Sequence, residues 1–410
     1  MHRPSDQALR ELFTVGVEEE YQLVTPGTGE LKSRGRTVRE ADRTGEVDAE
    51  VKDTMLEIGT PPCRDAAELG ARLRERRFQA SAAAASEDLE IVAAGMHPFT
   101  DWQEQFITDE SRPRMLAGVF RQLLLQQSIW GMHVHVAIPP HRDRVALMNT
   151  VRTYGAHLLA LSCSSPFHLG VDTGFASFRT IAWRGYPFVG VPPRFDSSAE
   201  YRAYVDLLLE VGTIPDERTL YWSVRPSARY PTLELRVCDA CPRVKDAVSI
   251  AALARAIVVA AAEALIEPIG SSLSPSLQGE MLRENEWITA RDGLDATLVA
   301  PERGMRSIPV RAAIEELLVT IGPVAERLGD ADAVASVSSI LNEGNAADRL
   351  RERIASGDNR RSIVAWLIEE TRAGTGIDRR SGSREQPGTV AAVREGVSAQ
   401  TGTGRVDSPE

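Results

Sequence analysis

Three segments of the chain interleave apolar residues with reactive ones at a period of two: VGVEEEYQLV, GMHVHVAI and TLELRVCDA. β-Branched or long apolar residues between turn formers predict a strand in each. In a strand, positions i and i+2 share a face. Glu18 and Glu20, His133 and His135, and Glu234 and Arg236 are therefore same-face pairs, while Glu19 points the other way. Residues 12–25 are read as a strand, and residues 46–59 as a second extended segment that stops at Pro61-Pro62. A 3.6-residue period predicts helices over 65–94, 114–129, 143–163, 199–211 and 245–267, then 308–328, 331–341, 346–356 and 360–373, with strands within 219–238. Residues 164–193 carry glycines, aromatics and arginines without a helical period. They read as a long functional loop, in the position of a lid. Strands and long helices mix without regular βαβ alternation, which favours an α+β architecture. After Gly374 the chain holds almost nothing large and apolar, and residues 374–410 are expected to be a disordered tail.

Composition narrows the classes. With 43% hydrophobic and 26% charged residues over 410 positions the chain is globular, and its net charge of −11 argues against a generic nucleic-acid surface. The first residues have no apolar core of a signal peptide, and the most apolar stretch, Ala247 to Ile266, is interrupted by Arg255 and Glu263. That stretch reads as a buried helix and not a membrane span, so no membrane partner is expected. Four cysteines without a dense framework fit a reducing cytoplasm. Cys238 and Cys241 form a lone C-x-x-C with no second pair, and they read as small apolar side chains at a strand end.

If the three dyads lie in one sheet, a single face carries carboxylates, imidazoles and an arginine. Such a face suits hard divalent metal and polyphosphate. Each member alone has a plainer reading: a solvated acidic edge for Glu18 and Glu20, core histidines for His133 and His135, an ion pair for Glu234 and Arg236. Glu57, between Leu56 and Ile58, either pairs with an arginine or binds metal. One imidazole among carboxylates fits Mg²⁺ or Mn²⁺ better than zinc. Neither a G-x-x-x-x-G-K-[ST] loop nor a G-x-G-x-x-G is present, so any ATP is bound in another way.

VGVEEEYQLV, TMLEIGTPPC, GMHVHV, SPFHLGVDTGFASFRT, TLELRVCDA and ENEWITARDGLDATL run in order over residues 12–370, and through them the chain resembles the glutamate–cysteine ligase type 2 family of carboxylate–amine ligases. The resemblance implies a glutamine synthetase-like fold, with a curved antiparallel active-site sheet backed by helices in one catalytic domain over 12–373. It implies ATP and two or more Mg²⁺ ions. Glu18, Glu20, Glu57, His133 and Glu234 would be the metal ligands, and His135 would face nucleotide phosphate. Arg236 would stand beside the transferring phosphoryl, making Arg236 and His135 the catalytic pair. Glu50 and Arg225 are placed by spacing only, Arg225 on the nucleotide side. His168 stands where a bulkier aromatic is expected. The implied reaction joins a glutamate-type γ-carboxylate to an amine such as cysteine through an acyl phosphate, and a homo-oligomer is compatible with this. The alternatives are a guanidino-type phosphotransferase on the same fold, a metal-dependent hydrolase, or a silent binding homologue. The hydrolase would carry His-x-His on the first strand of a βα barrel.

Overall fold

Every ladder of the central sheet is antiparallel in the computed structural model, which describes residues 4–303 and 306–375. The strands are β1 (Val15–Val24), β2 (Val47–Ala49), β3 (Met55–Gly59), β4 (Glu90–Val92) and β5 (Gly131–Ala137). They continue with β6 (Phe167–His168), β7 (Val171–Asp172), β8 (Val224–Pro226), β9 (Thr232–Asp239), β10 (Thr297–Ala300) and β11 (Arg306–Pro309). The seven-stranded sheet has the order β2-β3-β1-β5-β9-β8, with β4 pairing the far half of β1, and β6–β7 and β10–β11 are separate hairpins. The three dyad-bearing strands β1, β5 and β9 are thus neighbours at its centre.

β1 shows why the sheet has two unlike faces. Val15, Val17, Glu19 and Tyr21 are buried on one side, while Gly16, Glu18 and Glu20 are only partly covered on the other. Helices Ala66–Ser86, Gly155–Ser162 and Val244–Ala262 pack against strands of the sheet. Helix Val244–Ala262 is apolar almost all round and nearly every residue of it is buried. Arg255 within it is satisfied by Asp330 at 2.9 Å and the Phe13 carbonyl at 2.7 Å. Among the described residues no helix is long and apolar enough to cross a membrane.

Glu19 settles which face is which. It is fully buried on the helix side, and Arg77 of helix Ala66–Ser86 donates to it from Nη2 at 2.6 Å and from Nε at 2.8 Å. The Tyr21 hydroxyl also donates to Glu19, and Arg77 reaches on to the Cys241 carbonyl at 2.7 Å. Removing one partner of such a pair leaves an uncompensated buried charge. Glu19→Ala is therefore expected to lower stability by about 3–5 kcal/mol, read as a depressed thermal midpoint. Glu57, on the other face of the sheet among like charges, is expected to behave in the opposite way. A Glu19→Ala protein that melts like the wild type but fails to turn over would place Glu19 in the cleft.

The expected helix over 65–94 is shorter than its period suggested. It runs Ala66–Ser86, the backbone turns at Asp88 with φ +56°, and the buried segment Glu90–Val92 becomes β4. The segment over 164–193 contains regular structure. It holds the β6–β7 hairpin and helix Phe178–Trp183, capped by the Ser177 hydroxyl. Helix Pro275–Asp292, opened by Ser274 with proline in its first turn, and hairpin β10–β11 lie where no element was expected. The expectation for the 374–410 tail falls, beyond residue 375, outside the described residues.

Candidate active site

Strand register brings the dyads together. Glu18 of β1 pairs with His133 of β5, Glu20 with Glu57 of β3, His135 with Glu234 of β9, and Arg225 of β8 with Glu234. β9 carries one extra residue opposite His133, between the pairs Met132–Cys238 and Val134–Leu235. Such a bulge re-aims side chains, and here both Arg236 and Val237 line cavity walls.

The carboxylates form two cradles. Glu18, His133 and Glu234 offer ligand atoms within 4.8 Å of one another, and so do Glu20, Glu50 and Glu57. Both cradles open into one cleft of about 340 Å³, which His135, Arg225 and Arg236 also line. Glu50, suggested by spacing alone, thus joins the second cradle. Asp48, which pairs with Glu57 across β2–β3 and lines the same cleft, was not foreseen.

Hydrogen bonds fix the groups around the cradles. The His133 Nδ1 lies 3.3 Å from Glu18 Oε2, and the Gly131 amide donates to Glu20 Oε2 at 2.6 Å. Gly131 is glycine for a reason of space: a Cβ there would stand 2.3 Å from Arg179 Nη2. Arg225 grips Glu234 with two hydrogen bonds of 2.9 Å, and Arg236 ion-pairs with the same carboxylate while lying 3.5 Å from His133 Nδ1. The His135 Nδ1 is 2.9 Å from the Thr232 hydroxyl oxygen. Its buried Nε2, 3.3 Å from Glu18 Oε1, lacks a hydrogen-bond partner.

The two cradles differ electrostatically. Burial alone would raise Glu18, but the neighbouring His133 and His135 outweigh it and hold this carboxyl well below the usual range. Glu234 is likewise held low, with Arg225 and Arg236 overcoming burial. Burial, then the charge of Arg236, pushes His133 down to about 4, so the ring is neutral and its nitrogen lone pair is available to a cation. In the second cradle burial, then the charge of Glu50, lifts Glu20 to about 7. Glu57 is also raised well above normal, by burial and then by Glu50 and Glu18. A crowded carboxylate trio of this kind is short of positive charge. The donor set of five carboxylates and one neutral imidazole, with the unsatisfied His135 nitrogen beside it, fits hard divalent cations carrying phosphate.

The sequence-derived set of Glu18, Glu20, Glu57, His133, His135, Glu234, Arg236 and Arg225 is therefore gathered in one cleft. His168 is not among the residues lining it and instead packs its ring 5.2 Å from Phe178. Arg179, from the FASFRT segment, brings its guanidinium against Gly131. All four cysteines are buried and free, including Cys238 and Cys241.

Residues 14–366 match the pattern of the Glutamate-cysteine ligase family 2. A protein of Chloroflexus aggregans named "Putative glutamate--cysteine ligase 2" is 35% identical over 369 residues, spanning 89% of this chain and 93% of its own. A Paracoccus denitrificans protein of the same name is 39% identical over 377 residues, spanning 88% of this chain and 98% of its own. The crystal structure of a Francisella tularensis glutamate–cysteine ligase in complex with AMP superposes with a TM-score of 0.65 at 14% identity, covering 88% of this chain and 89% of that one. Fold, cleft and matches define an ATP-dependent carboxylate–amine ligase with a glutamine synthetase-like fold, acting on small molecules with ATP and divalent metal. Within that class the chain belongs to glutamate–cysteine ligase family 2.

Proposed function

We propose that this ligase joins the γ-carboxylate of glutamate, or a closely related acid, to an amine such as that of cysteine, with Mg²⁺ as the metal. The observation that carries the reading is the pair of cradles opening into one cleft that Arg236 also lines. Glu18, His133 and Glu234 would hold one cation, and Glu20, Glu57 and Glu50 the other. Bound there, the cations supply positive charge that offsets the phosphate oxygens and the phosphoryl in transit.

The chain's own groups do the rest. Oxygen of the acid's carboxylate attacks the γ-phosphorus of ATP, the bond to the β-phosphate oxygen breaks, and ADP leaves. Arg236 places fixed donors where negative charge spreads over the moving group. His135, anchored through Nδ1 to Thr232, keeps Nε2 free toward the phosphate side. The amine then attacks the acyl carbon, inorganic phosphate leaves, and one proton is lost from nitrogen. Walls at Trp183 and Tyr221 reduce access of water to the acyl phosphate, which would otherwise hydrolyse. We take residues 12–373 as one catalytic domain. ATP use and four free, buried cysteines support a cytoplasmic setting.

The test is a product screen. Purified protein, ATP, Mg²⁺ and glutamate are offered a panel of amines, with amide products read by mass spectrometry and ADP release followed in parallel. The expected result is one amide and one phosphate per ADP for at least one amine. Amine-stimulated ADP release with a phosphorylated guanidine and no amide would replace the reading with phosphotransfer.

A further inference from the structure

A second cavity, of about 310 Å³, opens on the other side of Arg236. It shares Trp183, Tyr221 and Arg236 with the acidic cleft, so the two spaces meet at the arginine placed beside the phosphoryl. Its lining carries both signs of charge. Glu286 of helix Pro275–Asp292 lines it while only 5% exposed, and its Oε1 has no hydrogen-bond partner. Room for this carboxylate is kept by Gly155, where a Cβ would stand 2.8 Å from Oε1. The buried Ser223 hydroxyl on the same lining lies beside this carboxylate. Arg179, 4% exposed with an unpartnered Nε, forms part of the wall, and the exposed Arg184 and Arg283 complete it.

A buried carboxylate without a cation partner is costly unless a ligand supplies the cation. Burial pushes Glu286 up to about 7, outweighing the Ser223 hydroxyl and the charges of Arg184 and Arg283, neither of which forms an ion pair with it. An ammonium would satisfy it, and the guanidinium groups suit a carboxylate on the same ligand. The two together describe an amino-acid zwitterion.

We propose that this cavity seats the α-amino-acid end of the dicarboxylic acid substrate. Glu286 receives the α-ammonium, Arg179, Arg184 and Arg283 receive the α-carboxylate, and the distal carboxylate reaches Arg236 at the mouth of the metal cleft. The assignment rests on the ligase reading above and adds to it which end of the acid is recognised, and by which residues. A site built to bond a substrate's polar group rejects the analogue that lacks it, because the buried partner is left unpaired.

The experiment compares glutamate with glutarate, the same diacid without the ammonium, in the wild type and in Glu286→Gln. Binding is followed through the fluorescence of Trp183, which lines the cavity, and turnover through ADP release. The wild type is expected to prefer glutamate by roughly 100-fold or more. Glu286→Gln, with an unchanged melt, is expected to weaken glutamate by about tenfold or more, leave glutarate and the KM for ATP nearly unmoved, and collapse the preference. Arg184→Ala, a rim change that the fold tolerates, should raise KM for glutamate by roughly severalfold. A preference that survives Glu286→Gln overturns the assignment. So does a change confined to the KM of the amine, which would make the cavity the amine's seat. Because binding is read apart from turnover, glutamate binding that depends on Glu286 without amide formation would sink the ligase reading and keep the cavity.

Discussion

Glu57→Ala and Glu18→Ala are each expected to cut turnover by about 1000-fold, since a catalytic cation supplies several kcal/mol of transition-state stabilisation and each tenfold in rate is about 1.4 kcal/mol. The change removes one ligand from one cradle, so the loss should appear in kcat with the fold intact. Stability should move the other way from Glu19→Ala. Burial, then the like charges of Glu50, Glu18 and Glu20 around it, raise the pKa of Glu57. Without added metal, alanine there relieves repulsion, and the melt should hold or rise. The wild type should gain thermal midpoint on addition of Mg²⁺ by mass action. Glu57→Ala should lose most of that gain, and a chelator should erase it in the wild type. Thermal melts with and without Mg²⁺, beside steady-state kinetics, provide the measurement. A Glu57→Ala enzyme with the same metal-dependent gain and normal kcat would remove Glu57 from the metal site.

Arg236→Lys separates a phosphoryl-contacting arginine from a structural ion pair. Glu234 keeps a two-point partner in Arg225 at 2.9 Å whatever stands at position 236. Lysine keeps the charge, and the stability cost should be about 1 kcal/mol or less. It cannot reproduce the planar fork of donors. If Arg236 meets the phosphoryl in transit, kcat should fall by roughly 100-fold while KM for glutamate changes little, because the contact forms mainly in the transition state. A variant that melts several degrees lower yet turns over normally would falsify the catalytic assignment.

The dyads were legible because the strand period is a property of the backbone. Once VGVEEEYQLV, GMHVHVAI and TLELRVCDA are strands, each pair must share a face, and Glu19 must leave it. Helix Val244–Ala262 was legible for a similar reason, since an apolar run with a lone arginine has to be buried and the arginine paired. The short β4 was hidden by the helical composition before it. Helix Pro275–Asp292 has a small amphipathic signal, because it buries polar residues such as Gln278, Asn285 and Glu286 as well as apolar ones.

By itself, then, the sequence determined the three dyad-bearing strands, the side of each reactive residue and the chemistry those residues suit, because all three follow from local geometry and side-chain type. Tertiary structure alone decided that the ligands divide into two cradles and that Glu50 completes the second. It also set the bulge that aims Arg236 between two cavities, and it carried Glu286 from a helix late in the chain to a space beside β9. Those facts depend on strand order, register and packing between residues far apart in sequence, which no local period encodes.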